Sequence, residues 1–225
     1  MDKKIQMSET VLLGVLLAIS GGFMDAYSYI FRDHVFANAQ TGNIILFGIH
    51  LSEGNIHEAI KYFWPVIAFA AGIILADFFK YFEHRYKLHW RQLSVLVEIF
   101  IFSIVAFIPT DYNLLANSLI SLSCGIQVES FRKIYSHSIA TTMCIGNLRS
   151  GTENLYNFLM NKDEVSLRKT RLYFGIILCF VIGAILGNIF IELFAAKTIL
   201  MSSIILSIVF LLMFVDIEPE NKFFK

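Results

Sequence analysis

Ala37-Asn-Ala-Gln-Thr-Gly-Asn-Ile-Ile-Leu-Phe-Gly48 decides the fold, because its polar half, Asn38 to Asn43, interrupts sequence that otherwise reads as membrane span. A related stretch recurs at Thr141 to Thr152, with Gly146-Asn147 standing where Gly42-Asn43 stand. The chain therefore reads as two copies of one unit, each built around a polar break.

Composition places both copies in a bilayer. Of 225 residues, 56% are hydrophobic and 16% charged, with a mean hydropathy of +0.65, outside the range of ordinary soluble domains. The formal net charge is zero, which excludes the basic field a nucleic-acid partner requires. Cys124, Cys144 and Cys179 fall in apolar surroundings at no metal-ligand spacing and read as small packing residues. The six histidines are scattered, and there is no phosphate-binding glycine loop. The residues thus point to no enzyme, no metal and no cofactor.

Working outward from the break, a first span covers about Val11 to Phe31, too long for a signal-peptide core. A second covers about Tyr62 to Phe82, with Trp64 as interfacial aromatic and Pro65 suited to a first helical turn. A third runs from Leu93 to Ile108 and stops at Pro109. The pattern then repeats, with spans at about Tyr112–Ser130, Leu172–Leu193 and Ile199–Val215 and a second interrupted stretch from His137 to Leu159. Phe69 to Phe79 aligns without gaps to Phe180 to Phe190, pairing Phe69 with Phe180, Gly72 with Gly183 and Asp77 with Asn188.

Charge sets the orientation. Were each interrupted stretch a full crossing, the loop holding Lys80, Arg85, Lys87 and Arg91 would lie opposite Lys3 and Lys4, against the positive-inside rule. If each stretch dips in and returns, every basic cluster lies inside with both termini. Residues 32–61 carry two basic against three acidic side chains, whereas 132–171 carry seven against three. The expectation is an all-α integral membrane protein, a single membrane domain over 1–225. Its six transmembrane helices form two inverted three-helix repeats, about 11–109 and 112–215, each with a broken, re-entrant segment.

These residues resemble a known signature. Gly22-Phe-Met-Asp25-Ala26, then Phe36-Ala-Asn38, then Thr41-Gly42-Asn43 with Gly48 downstream, are similar to the motif of the YoaK family of bacterial membrane proteins, a domain family of unknown function. Gly125-Ile-Gln127 and Arg132 resemble that family's second copy, and the likeness covers essentially the whole chain. The second half departs where the family tends to have Asn-Ala after the Gln and a Thr before the second Gly; this chain has Val128-Glu129 and Ile145. The resemblance implies a multi-spanning inner membrane protein and supplies no biochemical activity.

Candidate site residues follow from the cost of polarity in lipid. Asp25, in the outer third of the first span, either works as a proton-coupling group or caps the break or bonds Arg32. Asn38, Gln40, Thr41 and Asn43 offer donors and acceptors on extended backbone, Gly42 permits a turn, and a helix beginning near Asn43 would aim its positive end inward. The second copy contributes Gln127, Thr142, Asn147 and Arg149, the last able to meet an anion or to satisfy Glu129 or Glu153. Asp77, Asn188, Glu192 and Glu98 read as side chains near span ends that snorkel to water. Gly183-x-x-x-Gly187 marks a close helix contact, within one chain or between the subunits of a homodimer. The function expected is transport of a small polar or anionic solute, proton-coupled through Asp25. A passive channel on the same elements and a noncatalytic membrane scaffold are the alternatives.

Overall fold

The computed structural model describes residues 10–85, 88–134 and 137–215. Lys3, Lys4 and Lys87, which entered the charge argument, lie outside them.

Helix α1, Val11–Phe31, starts at Thr10, whose hydroxyl accepts the Leu13 N–H. It ends where Asp33 and His34 take left-handed φ values of 67° and 59° and reverse the chain. Val35 to Ala39 then runs without helix into α2, Gln40–Ser52, of which Asn43 is the one buried residue. Gly54, at φ 73°, turns the chain into α3, Ile56–Tyr81, capped by Asn55. The cap makes α3 begin six residues before the expected span, so Pro65 stands inside the helix and not in its first turn.

After a short 3-10 turn, α4 (Trp90–Val105) begins at a reciprocal cap between His89 and Gln92. Helix α5, Asn113–Ser130, leads into a two-residue antiparallel ladder, β1 (Lys133–Ile134) against β2 (His137–Ser138). This hairpin is the one departure from an all-helical chain among the described residues; it was not foreseen, since two residues are too few for a period-2 pattern. Helix α6, Cys144–Asn161, ends at left-handed Lys162. Asp163 caps α7, Glu164–Phe194, and a 3-10 run over Ala195–Ile199 joins it to α8, Leu200–Leu212.

Among the described residues, three helical stretches are long and apolar enough to cross a membrane: Val11–Phe31, Ile56–Tyr81 and Glu164–Leu212, the last containing both α7 and α8. Helix α1 packs along α7 and α3 along α5; α2 lies on α3, α6 on α7, and α4 on α8. The first two contacts are made by glycines. A Cβ on Gly22 would strike the Phe180 carbonyl and one on Gly183 the Ile19 carbonyl, while Gly72 and Gly125 stand in the same relation to the Leu122 and Phe69 carbonyls. Without side chains the backbones approach closely, and the van der Waals packing this allows is a main driver of helix association in lipid. Gly187 continues the line against Phe23 and Ala26, so the Gly183 motif is spent within the chain and does not argue for a homodimer.

The main core joins α1, α4, α5 and α8 through Leu17, Met24, Phe102, Ile120 and Leu206. A smaller cluster of Ala18, Ile134, Ile139, Tyr173 and Ile176 seats the hairpin against α1 and α7.

Candidate functional site

The two nonhelical segments approach α1 from opposite ends and meet at Gly21. The first turns back from the Phe31 end until the Asn38 Nδ2–H donates to the Gly21 carbonyl at 3.0 Å, ten residues upstream of Phe31, a return of about 15 Å. The second arrives from the hairpin side and lays the Thr141 carbonyl and Thr142 Cα 3.0 and 3.3 Å from the position of a Gly21 Cβ. Any side chain at Gly21 would push the second segment away.

Exposed backbone is not tolerated inside a bilayer, so each segment must be satisfied by its surroundings. Asp25 Oδ1 accepts the Asn38 N–H at 2.8 Å, and the Ser28 hydroxyl accepts the Ala37 N–H at 3.1 Å. The Ala37 carbonyl receives Gln40 Nε2 at 2.7 Å and the Ser121 hydroxyl of α5 at 3.2 Å. Asn43 accepts the Phe36 N–H and donates to the Phe36 carbonyl at 3.2 and 2.7 Å, and it also donates to Gln40 Oε1. Asn147 repeats the clip on Ala140, at 3.2 and 2.6 Å. Gln127, fully buried on α5, reaches across to the Leu17 carbonyl and the Thr141 hydroxyl, each at 3.3 Å.

Several sequence expectations are sharpened or corrected by this geometry. Asp25 does cap the break and does not bond Arg32, which turns the other way to Tyr27, Val105, Pro109 and Asn113. The extended stretch closes at Ala39, so Gln40, Thr41, Gly42 and Asn43 already belong to α2, which starts at Gln40 and not near Asn43. Gly42 is helical and makes no turn; its missing Cβ instead leaves room for the Phe36 ring, 3.0 Å from where that atom would stand. The turn residues are Asp33 and His34, whose short polar side chains tolerate left-handed backbone.

Asp25, Asn38, Gln127 and Thr142 are brought together around Gly21. Gln40, Asn43 and Asn147 hold the segments in place, and Thr41 is exposed on α2. Arg149 lies elsewhere. Two residues beyond inward-facing Asn147, it points about 200° around the helix, into an open groove with Ile145, Glu153 and Tyr156. Among the described residues it makes no ion pair, and Glu129 is met by Arg132 at 3.1 Å.

Three buried polar atoms at the meeting point have no partner among the described residues: Asn38 Oδ1, Gln127 Oε1 and Thr142 Oγ1. Such atoms are rare in native interiors and mark places where a ligand or water supplies the missing bond. Among the described residues no group of three or more His, Cys, Asp or Glu side chains could hold a metal ion.

Sequence reasoning misplaced one residue of the interior. Glu98 is 0% exposed and neither carboxylate oxygen has a partner, so it does not snorkel. Helix α4 begins at Trp90 and not Leu93, which moves Glu98 from near the span end to mid-helix. The readable signal was the His89–Gln92 cap, which fixes that start.

Apolar helices long enough to span, close glycine contacts between them and polar breaks satisfied from within define a polytopic α-helical membrane protein. The chain belongs to the family described as protein of unknown function, DUF1275, whose model matches residues 13–212. It is similar to UPF0700 transmembrane protein YoaK of Bacillus subtilis (strain 168), with 26% identity over 183 residues, 76% of this chain and 79% of that protein. No solved structure matches.

Proposed function

We propose that this protein is a membrane transporter of a small polar solute, built from two inverted repeats around one central site and proton-coupled through Asp25. The observation that carries the reading is the meeting of two nonhelical segments at Gly21, where Asn38, Gln127 and Thr142 keep unpaired polar atoms in the interior. Nonhelical backbone at membrane depth is tolerated where it lines a protein-enclosed cavity, and paired broken segments at mid-membrane recur in secondary transporters.

The inverted repeat is supported by the packing. Exchanging α1 with α5, α2 with α6, α3 with α7 and α4 with α8 maps the α1–α7 contact onto α3–α5, α2–α3 onto α6–α7 and α4–α5 onto α1–α8, and α4–α8 onto itself; among the described residues only the α3–α4 contact lacks a counterpart. The Gly22–Phe180 and Gly183–Ile19 approaches map in the same way onto Gly125–Phe69 and Gly72–Leu122. Six spans with both termini on the cytoplasmic side of the inner membrane accord with this exchange and with the basic loops.

Asn38 Oδ1 and Gln127 Oε1 are acceptors, and Asp25 stands beside them. The solute is therefore one that donates hydrogen bonds, and the anionic alternative loses support because Arg149 faces out of the site. The test is a ligand-stabilisation screen of the purified protein with neutral and cationic hydrogen-bond donors, followed by uptake into proteoliposomes with and without a proton gradient. Accumulation driven by the gradient supports the reading; equilibration alone would make the protein a channel, and no stabilising ligand with no flux would leave a scaffold.

A further inference from the structure

We propose that Glu98 is a second proton-binding site of this protein, enclosed between α4, α5 and α8 and adjoining the Gly21 meeting point at Gln127.

The placement of Glu98 follows from the contacts on either side of it. One turn earlier on α4, Ser94 receives the Ser130 hydroxyl of α5 at 2.9 Å. One residue later, the Ile99 carbonyl faces the Ser203 hydroxyl of α8 at 3.5 Å. Helices α4 and α5 run antiparallel, so the α5 residues following Glu98 along this seam are those one to two turns before Ser130, which include Gln127, Cys124 and Ser123. The seam is polar and unsatisfied, since Gln127 Oε1, Ser123 Oγ and Ser202 Oγ lack partners, as do both Glu98 oxygens.

A buried carboxylate with no donor and no counter-cation costs several kcal/mol, so the group must hold a cation. The surroundings offer few candidates. Helix α8 has no ionisable side chain, and α5 carries buried Cys124 together with Glu129, which pairs with Arg132; Asp77, Lys80 and Tyr81 of α3 and Lys197 of the α7–α8 turn are exposed. A sodium ion or a divalent ion needs several oxygen ligands, whereas the seam offers a single carboxyl group and hydroxyls on helices whose carbonyls are already bonded. A proton needs one oxygen. The unpaired Gln127 carbonyl and serine hydroxyls then serve as acceptors for the acid O–H, directly or through water.

Gln127 links the two regions, reaching from α5 to the Leu17 carbonyl of α1, the helix that carries Asp25. The proton on Glu98 can pass as H+ along hydrogen-bonded water to the Asp25 oxygen that Asn38 does not hold, leaving Glu98 as the anion and Asp25 as the acid. That transfer rests on the transporter reading; occupancy of Glu98 by a proton does not.

Infrared spectroscopy of the purified full chain in detergent separates the two. Glu98 is the one fully buried glutamate among the described residues, so a carboxylic-acid carbonyl band that shifts when glutamate is labelled with 13C is assigned to it and cannot arise from Asp25. The expected result is one such band, moved by deuterium exchange, lost in Glu98→Gln, unchanged by sodium and converted to carboxylate as pH rises. The isotope shift needs no mutant, so the test stands even if Glu98→Gln fails to fold. Absence of a 13C-shifted acid band, or its loss on adding sodium at constant pH, overturns the proposal. A band present without gradient-driven uptake would retain the site and overturn only the transport reading.

Discussion

Asn43 and Asn147 make the same pair of hydrogen bonds, each holding the backbone N–H and carbonyl of the residue seven positions earlier. A side-chain amide has one donor side and one acceptor side, so it can replace a missing strand neighbour for one residue of extended chain. Both segments depend on that substitution, because neither Phe36 nor Ala140 lies in a helix.

The first prediction tests that dependence. Asn43→Asp and Asn147→Asp remove the N–H that meets the carbonyl and oppose two acceptors, at a cost of about 1–3 kcal/mol each. Both should lower the apparent melting temperature of the detergent-purified protein by similar amounts. An unchanged melting temperature in either variant would make its clip dispensable.

The glycine contacts give a contrast within one residue type. Gly22→Ala and Gly72→Ala drive a methyl into a carbonyl of α7 or α5, and such overpacking costs about 1–3 kcal/mol. Gly48→Ala and Gly146→Ala meet open space in helices α2 and α6 and should be neutral or gain up to about 1 kcal/mol of helix propensity. Yield of monodisperse protein and thermal stability should therefore split the four variants into two pairs.

Much of this was readable because glycine and charge in lipid have few uses. Aligning Gly72 with Gly183 picked out two positions that make the same kind of contact, and Asp25 and Asn38 were marked by their polarity alone. Boundaries were less legible. Gln40 to Asn43 looked like an extended break because Thr41, Gly42 and Asn43 are weak helix formers, yet these residues form the first turn of α2, which packs on α3. Glu98 escaped because a span edge misplaced by one turn converts a mid-helix acid into an interfacial one. Nothing local identifies the partner of a long-range contact such as Gln127 with Leu17, 110 residues apart.

Arg32 supplies a third prediction. It is fully buried with no carboxylate partner among the described residues, donating to the Tyr27 hydroxyl at 3.0 Å, Val105 carbonyl at 2.9 Å and Asn113 Oδ1 at 3.2 Å. Val105 closes α4, so the guanidinium sits at the negative end of that helix. Arg32→Lys keeps the charge and loses the fork that reaches four acceptors, the Pro109 carbonyl included. It should destabilise by about 2–4 kcal/mol, since unpaired acceptors cost about 1–3 kcal/mol each, whereas Arg85→Lys, exposed on its turn, should leave the melting temperature unchanged.

Orientation is open to direct chemical labelling. Ser52 and Asn161 are exposed at the ends of α2 and α6, the corresponding helices of the two halves. An inverted arrangement puts them on opposite faces, with Ser52 outside. In intact cells a membrane-impermeant maleimide should modify Ser52→Cys and leave Asn161→Cys unmodified until the cells are opened. Modification of both before lysis would defeat the inverted repeat.

The last prediction concerns Asp25. Its Oδ1 accepts the Asn38 N–H at 2.8 Å, and an asparagine in the same rotamer still presents an oxygen there, so Asp25→Asn preserves the bond that holds the first segment against α1. What the substitution removes is the site for a proton. Solute binding and thermal stability should therefore survive while gradient-driven accumulation falls to the level of empty liposomes, with exchange of solute at equal concentrations retained. Asp25→Ala removes both functions and should lose stability as well, because the Asn38 N–H is then buried without an acceptor. If Asp25→Asn accumulates solute with the same pH dependence as the unmodified protein, the carboxyl group is a cap for the break and coupling lies elsewhere. If both variants lose stability equally, the charge itself holds the segment, and the transport defect carries no information about protons.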